Sequence, residues 1–270
     1  MSSTASRFRS SDVVLLVTGL VGSGRSTFVN ALLPSSLPKA KVGDDDSLAV
    51  CTKDVQPAVI ELEAGVIPQC KKQYRLIVVD TPGFDDPDQT DAAVLQQIIG
   101  WLEKSFPNGK CRGGVIYLHD VSEARYQSVA QSDLEALDRS LNPGLYHQLI
   151  IATTKWNRCS NLEEAERRHK RLQTHWSTAL SAGSQVHSFR EEKDAWDIVN
   201  QFLPILEQAE ELDVSKGFAE IKRQPKHYPR ILKGDGPLKV FDRLVVSVSH
   251  SVTIKGSVLT CWGEKLVVLK

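Results

Sequence analysis

Val13-Val14-Leu15-Leu16-Val17-Thr18-Gly19-Leu20-Val21-Gly22-Ser23-Gly24-Arg25-Ser26-Thr27 is the stretch from which the rest of this chain can be read. Its apolar start reads as a buried strand, and the following Phe28-Val29-Asn30-Ala31-Leu32-Leu33 reads as the first turns of a helix. Between them, Gly19, Gly22 and Gly24 let backbone N–H groups turn inward around an anion, and the helix start adds the positive end of its dipole. Strand, glycine-rich turn and helix in that order form the context in which a phosphate loop works. The pattern is G-x-x-x-x-G-K-[ST] with one departure, Arg25 in the lysine position.

Outward from this loop the chain alternates. Residues 35–52 are polar, with Pro38, Gly43 and the run Asp44-Asp45-Asp46, and read as a long mobile loop. Three consecutive carboxylates there read as a solvated charge cluster and not as a metal site. Strands are predicted at 58–63, 74–80, 114–118, 149–152 and, briefly, 185–189. The unbroken apolar centre of 74–80 suits a strand buried on both faces. Helices are predicted at 90–105, 128–141 (closed by Asn142-Pro143-Gly144), 162–180 and 194–212. This alternation predicts an α/β fold with a mostly parallel six-stranded sheet covered on both sides. Ligands of such sheets lie at the carboxyl ends of the strands, so the loops after the first, third and fifth strands should surround one site.

Residues 1–11 read as a disordered lead-in, 12–212 as the nucleotide-binding domain, and 213–270 as an extension. The extension has a basic connector, 216–233, broken by Pro225 and Pro229, followed by alternating residues from 240 onward that read as a small β-rich appendage. The connector's basic residues (Lys216, Lys222, Arg223, Lys226, Arg230, Lys233) are interleaved with acids and prolines, which fits an exposed linker better than a membrane anchor.

The formal net charge of zero argues against general nucleic-acid binding. Five cysteines without a C-x-x-C pair favour a reducing compartment over a disulfide frame or a zinc site. The first residues carry serine and arginine without an apolar core, unlike a secretory signal, and no apolar run approaches a membrane span. A cytoplasmic location is expected.

Three strand ends then carry chemistry. Ser26 holds the position whose hydroxyl binds Mg²⁺ in phosphate-loop proteins. Asp80, ending the third strand, is placed to hold the same ion directly or through water, and Gly83 can offer a backbone N–H to a γ-phosphate. Taken alone, Asp80-Thr81-Pro82-Gly83 is also an ordinary tight turn. Thr52 is a candidate switch threonine that would reach Mg²⁺ when a γ-phosphate is present, and an ordinary loop threonine fits the same position. His119, ending the fourth strand, reads as structural and not catalytic, although its usual pKa suits proton transfer.

Gly19–Thr27, Cys51-Thr52-Lys53-Asp54-Val55-Gln56, Asp80–Phe84 and Thr154-Lys155-Trp156-Asn157 together resemble the septin-like branch of the translation-factor-related GTPases. The likeness is to immunity-associated (GIMAP-type) proteins and to fungal G-domain proteins near them. Trp101-Leu102, Ile116–His119 and Ala195–Val199 also look like segments of the fungal group. The resemblance, over roughly 12–206, implies a Ras-like P-loop NTPase fold, a three-layer α/β/α sandwich. It further implies GTP/GDP and Mg²⁺ as ligands, and homodimerisation through G domains. Residues 22–27, with Gly19 and Gly83, would hold the phosphates, and Thr154, Lys155 and Asn157 would face the base.

Three positions depart from what a GTPase of this kind needs. Arg25 keeps the lysine's charge, but its planar fork is bulkier than a point charge in a tight loop. Asn157 stands where the pattern [NT]-K-x-D has aspartate, so one guanine donor would face a donor. Phe84 follows Gly83 where Ras-type enzymes carry the glutamine that orients water, a glutamine the septin-like branch also tends to lack. The reading is a guanine-nucleotide switch with slow hydrolysis. A pseudo-GTPase scaffold and an ATP-using enzyme are the alternatives.

Overall fold

The computed structural model of the protein describes residues 8–9, 11–40, 42, 52–62, 73–106, 108–123, 145–209, 211–213, 252–254, 257–262 and 265–269. The helix expected over 128–141, the Asp44–Asp46 cluster and the connector 216–233 lie outside the described residues. The chain divides into two compact units, residues 1–224 and 225–270.

In the first unit, β1 (Val13–Gly19) is buried at every residue because it has a neighbour on each side. It pairs in parallel with β3 (Tyr74–Asp80) and with β4 (Lys110–Asp120). Beyond β3 lies β2 (Gln56–Leu62), antiparallel to it. Beyond β4 come β5 (Leu149–Thr154) and β6 (Gln185–Ser188), both parallel. The order is therefore β2-β3-β1-β4-β5-β6, the mostly parallel sheet that the alternating sequence implies. A further short strand, β7 (Leu212–Asp213), runs antiparallel to the start of β4.

The helices are α1 (Arg25–Leu32), α2 (Asp91–Ser105), α3 (Leu162–His175), α4 (Ser177–Ser181) and α5 (Glu192–Gln208). One core cluster joins Val13, Leu15 and Val17 of β1 to Leu76 and Val78 of β3, Phe28 and Leu32 of α1, and Phe202 and Leu206 of α5. The alternate strand residues, among them Val14, Leu16, Ile77, Val79 and Val115, are just as buried, so both faces of the sheet are covered. In α2 the residues Val94, Leu95, Ile98, Ile99 and Leu102 make the inward stripe that the helical spacing predicts.

Three elements differ from expectation, each for a local reason. β4 starts at Lys110, earlier than the predicted 114, because Gly113 and Gly114 mark close approach and not a strand end. A Cβ on Gly113 would lie 2.3 Å from the Val14 carbonyl oxygen, and one on Gly114 would lie 2.5 Å from Phe202. The long helix expected over 162–180 breaks at Trp176, whose ring is buried and whose backbone N–H is shared by the Leu172 and Thr174 carbonyls. The last helix begins at Glu192, not Asp194, because Glu191 and Asp194 form a capping box, and it stops at Gln208.

The second unit contains β8 (Val252–Ile254), β9 (Ser257–Trp262) and β10 (Lys265–Leu269), an antiparallel sheet in the order β10-β9-β8. Among the described residues, no helix is long and apolar enough to cross a membrane.

Candidate functional site

The strand register brings the candidate residues to one edge of the sheet. Val17 pairs with Asp80, Gly19 with Leu118, and Asp120 with Thr154, so β1, β3, β4 and β5 all end at this rim.

The loop after β1 takes the shape its glycines allow. Gly19 has φ +147°, and a Cβ there would stand 2.3 Å from the Leu118 carbonyl oxygen. Gly24, at φ 90°, precedes α1 without any side-chain cap. The Phe28 N–H is bonded to the Gly24 carbonyl at 2.9 Å, while the amides of Arg25, Ser26 and Thr27 have no acceptor among the described residues. Such an open helix start attracts an anion. Thr27 is exposed. Ser23 is buried, and its carbonyl accepts the Thr154 hydroxyl at 2.8 Å, which ties the loop to the end of β5.

Ser26, Thr52 and Asp80 meet beside this loop. Ser26 Oγ donates to Asp80 Oδ2 at 2.7 Å and lies 3.2 Å from Thr52 Oγ1, which itself donates to the same carboxylate oxygen at 3.4 Å. Thr52 is 4% exposed and Asp80 1%. The other carboxylate oxygen, Asp80 Oδ1, is buried without a hydrogen-bond partner. Burial pushes the Asp80 carboxyl above its usual range, against the Ser26 bond, the Arg25 charge and the Thr52 bond. Two hydroxyls and a carboxylate with an unused buried oxygen fit Mg²⁺, a hard ion that takes few protein ligands and completes its shell with phosphate and water. Among the described residues no group of three or more His, Cys, Asp or Glu gathers for a metal.

Arg25 does not reach outward. It is 6% exposed, and its guanidinium donates to the carbonyls of Thr81, Gly19 and Leu20. Burial lowers its pKa, opposed chiefly by the charge of Asp80. Gly83 lies directly beneath this guanidinium. Phe84 is fully buried, and the segment carrying it is bonded to the loop through its backbone.

On the far side of the rim, Lys155 adopts φ 57°, and its Nζ lies 3.4 Å from Asp120 Oδ2. The Asp120 Oδ1 atom accepts the Ser122 N–H at 2.8 Å and the Ser122 hydroxyl at 2.6 Å. Trp156 anchors the turn: its indole N–H donates to the Thr153 carbonyl at 3.0 Å, and Arg190 lies 3.9 Å above its ring. Asn157 is exposed in this turn and does not line the hollow between the strand ends. That hollow is bounded by Leu20, Val21, Gly22 and Ser23 on one side, and by His119, Asp120, Glu123, Lys155 and Arg158 on the other, with Asp85 at its edge. Sequence reasoning missed Asp120, Glu123 and Arg158. The signal that finds Asp120 is its place at the end of the strand between β1 and β5, which needs the strand order. His119 is 3% exposed, packs edge-to-face on Trp176 at 5.2 Å, and is pushed down to about pKa 4 by burial, with Asp120 opposing.

A phosphate loop at the end of a central parallel strand, with the second and third loops beside it, defines an α/β protein of the P-loop GTPase fold. Within that class, residues 9–108 match the septin family model. Over 72 residues the chain is 32% identical to cell division control protein 10 of Saccharomyces cerevisiae. That match covers 27% of this chain and 21%, about a fifth, of the yeast protein. Among solved structures, Toc33 from Arabidopsis thaliana in complex with Mg²⁺ and GMPPNP is similar in fold, with a TM-score of 0.52 at 14% identity over 76% of this chain and 88% of that one. Toc33 in complex with GDP and Mg²⁺ gives 0.51 at 15% identity, with the same coverage.

Proposed function

We propose that this protein binds a guanine nucleotide with Mg²⁺ and hydrolyses GTP slowly. The observation that carries this reading is the convergence of Ser26, Thr52 and Asp80 within hydrogen-bond reach, next to helix-start amides that have no acceptor. In this reading the amides of residues 22 and 24–27 take the phosphates, the Ser23 N–H being held by the Leu20 carbonyl at 3.1 Å, and Ser26 and Asp80 hold Mg²⁺ with Thr52 joining them. Lys155 lays its stem along the base. The ion would supply charge neutralisation between phosphate oxygens. Hydrolysis is slow because the position after Gly83 is a buried phenyl ring, with no group there to align a water molecule. Association of two such domains in the nucleotide-bound state belongs to the same proposal.

Titration calorimetry with GDP, GTP and ATP, with and without Mg²⁺, is the test. Saturable, Mg²⁺-enhanced binding of the guanine nucleotides supports the reading. Binding of none leaves the scaffold reading, which the sealed backbone contact between Val21 and Phe84 favours. Equal binding of ATP shows that the turn with Asn157 does not select guanine. Sedimentation of the nucleotide-loaded protein checks the association.

A further inference from the structure

Arg25 links two segments that a nucleotide switch must be able to part. Its Nε donates to the Thr81 carbonyl at 3.1 Å, at the start of the loop after β3. Its Nη1 donates to the Gly19 carbonyl at 2.9 Å and to that of Leu20, on the phosphate loop. One cation thus holds carbonyls from two strand ends.

The backbones are joined as well. The Phe84 N–H donates to the Gly19 carbonyl at 3.0 Å, and the Val21 N–H donates to the Phe84 carbonyl at 2.9 Å. Leu20 and Phe84 form a parallel β-bridge, and the Phe84 ring is fully buried beneath it.

The guanidinium also fills a particular space. A Cβ built on Gly83 would stand 2.7 Å from both Nη1 and Nη2 of Arg25, and 2.8 Å from a methyl of Val21. The face of Gly83 that looks toward the phosphate loop is therefore covered. A group approaching Gly83 from that side, such as a further phosphoryl group on a nucleotide held at the start of α1, would meet the guanidinium first.

We propose that Arg25 latches the 81–84 segment onto the phosphate loop and makes the site select a nucleoside diphosphate over the triphosphate. This rests on the nucleotide-binding reading above. A lysine cannot do the same, because one compact ammonium cannot reach the Thr81 carbonyl and both loop carbonyls while lying flat over Gly83.

The test is calorimetry on the full chain with GDP and with GMPPNP in Mg²⁺ buffer, for the wild type and for Arg25→Lys. The wild type is expected to bind GDP about tenfold or more tightly than GMPPNP, and Arg25→Lys to bring the two within about threefold. Hydrogen exchange gives a second readout: the Phe84 and Val21 amides should be protected in wild type with GDP and exchange faster in Arg25→Lys. Equal wild-type affinity for both nucleotides overturns the latch while leaving nucleotide binding intact. A GDP preference that survives unchanged in Arg25→Lys also overturns it. Binding of neither nucleotide by the wild type removes both this inference and the reading beneath it. Should Arg25→Lys not fold, the wild type decides: unprotected Phe84 and Val21 amides sink the proposal, whereas protection together with the GDP preference sustains it.

Discussion

At the scale of single residues, the site depends on groups that cannot be exchanged for near neighbours. Gly19 combines φ +147° with a contact that leaves a Cβ 2.3 Å from the Leu118 carbonyl oxygen. Gly19→Ala is therefore expected to cost about 2 kcal/mol or more, because the clash is with backbone of the central sheet. Thermal unfolding should show a drop in Tm of about 5 °C or more. Asp80 tests something else. Its buried, partnerless Oδ1 beside two hydroxyls predicts that Asp80→Asn abolishes the Mg²⁺ enhancement of nucleotide affinity and leaves affinity in EDTA little changed. Calorimetry with and without the metal reads this directly. Asn157, by contrast, is exposed and is not among the residues that bound the hollow.

At the scale of elements, local chemistry explains most boundaries. In α2, Thr90 caps the helix by accepting the Ala93 N–H at 3.2 Å, while Gly100 sits mid-helix with nothing within 4 Å of a built Cβ. The start and the middle of one helix thus make opposite predictions. Thr90→Ala should destabilise by about 1 kcal/mol through the lost cap. Gly100→Ala should stabilise by about 0.5–1 kcal/mol, by restricting the unfolded chain without crowding the fold. Urea unfolding of the two variants against wild type measures both. The break at Trp176 is the element that local pattern misjudges. The charged run through α3 continues helically in sequence, but burying an indole against His119 turns the chain there.

At the scale of the whole molecule, burial of ionisable groups makes stability depend on pH. Unfolded imidazoles take up a proton near pH 6.5. In the fold His119 resists protonation down to about pH 4, and burial lowers His169 and His187 as well. Between those values the unfolded chain binds more protons than the native one, so stability is full above pH 6.5 and falls as the medium is acidified. For His119, which is 3% exposed, the slope is about 1.4 kcal/mol per pH unit. Asp80 and Asp91, raised mainly by burial, keep protons in the fold that the unfolded chain has released, and so soften the fall at its acid end. Urea midpoints at pH 7, 6 and 5 should decline, and His119→Gln should flatten the decline.

Gly19, Ser26, Asp80 and Lys155 were legible from the chain alone, along with the alternation of strands and helices. Hydrophobic period, glycine placement and the residue types at strand ends are local properties, carried by a few neighbouring positions. The order β3-β1-β4-β5 was not legible, and neither was the place of Asp120 in the hollow that this order creates. The direction of the Arg25 side chain was equally hidden: its Nε bond goes to Thr81, 56 residues away in sequence, and its guanidinium covers Gly83. Which strands become neighbours, and which carbonyls a buried cation finds, depends on the packing of distant segments against one another, and no stretch of local pattern contains that information.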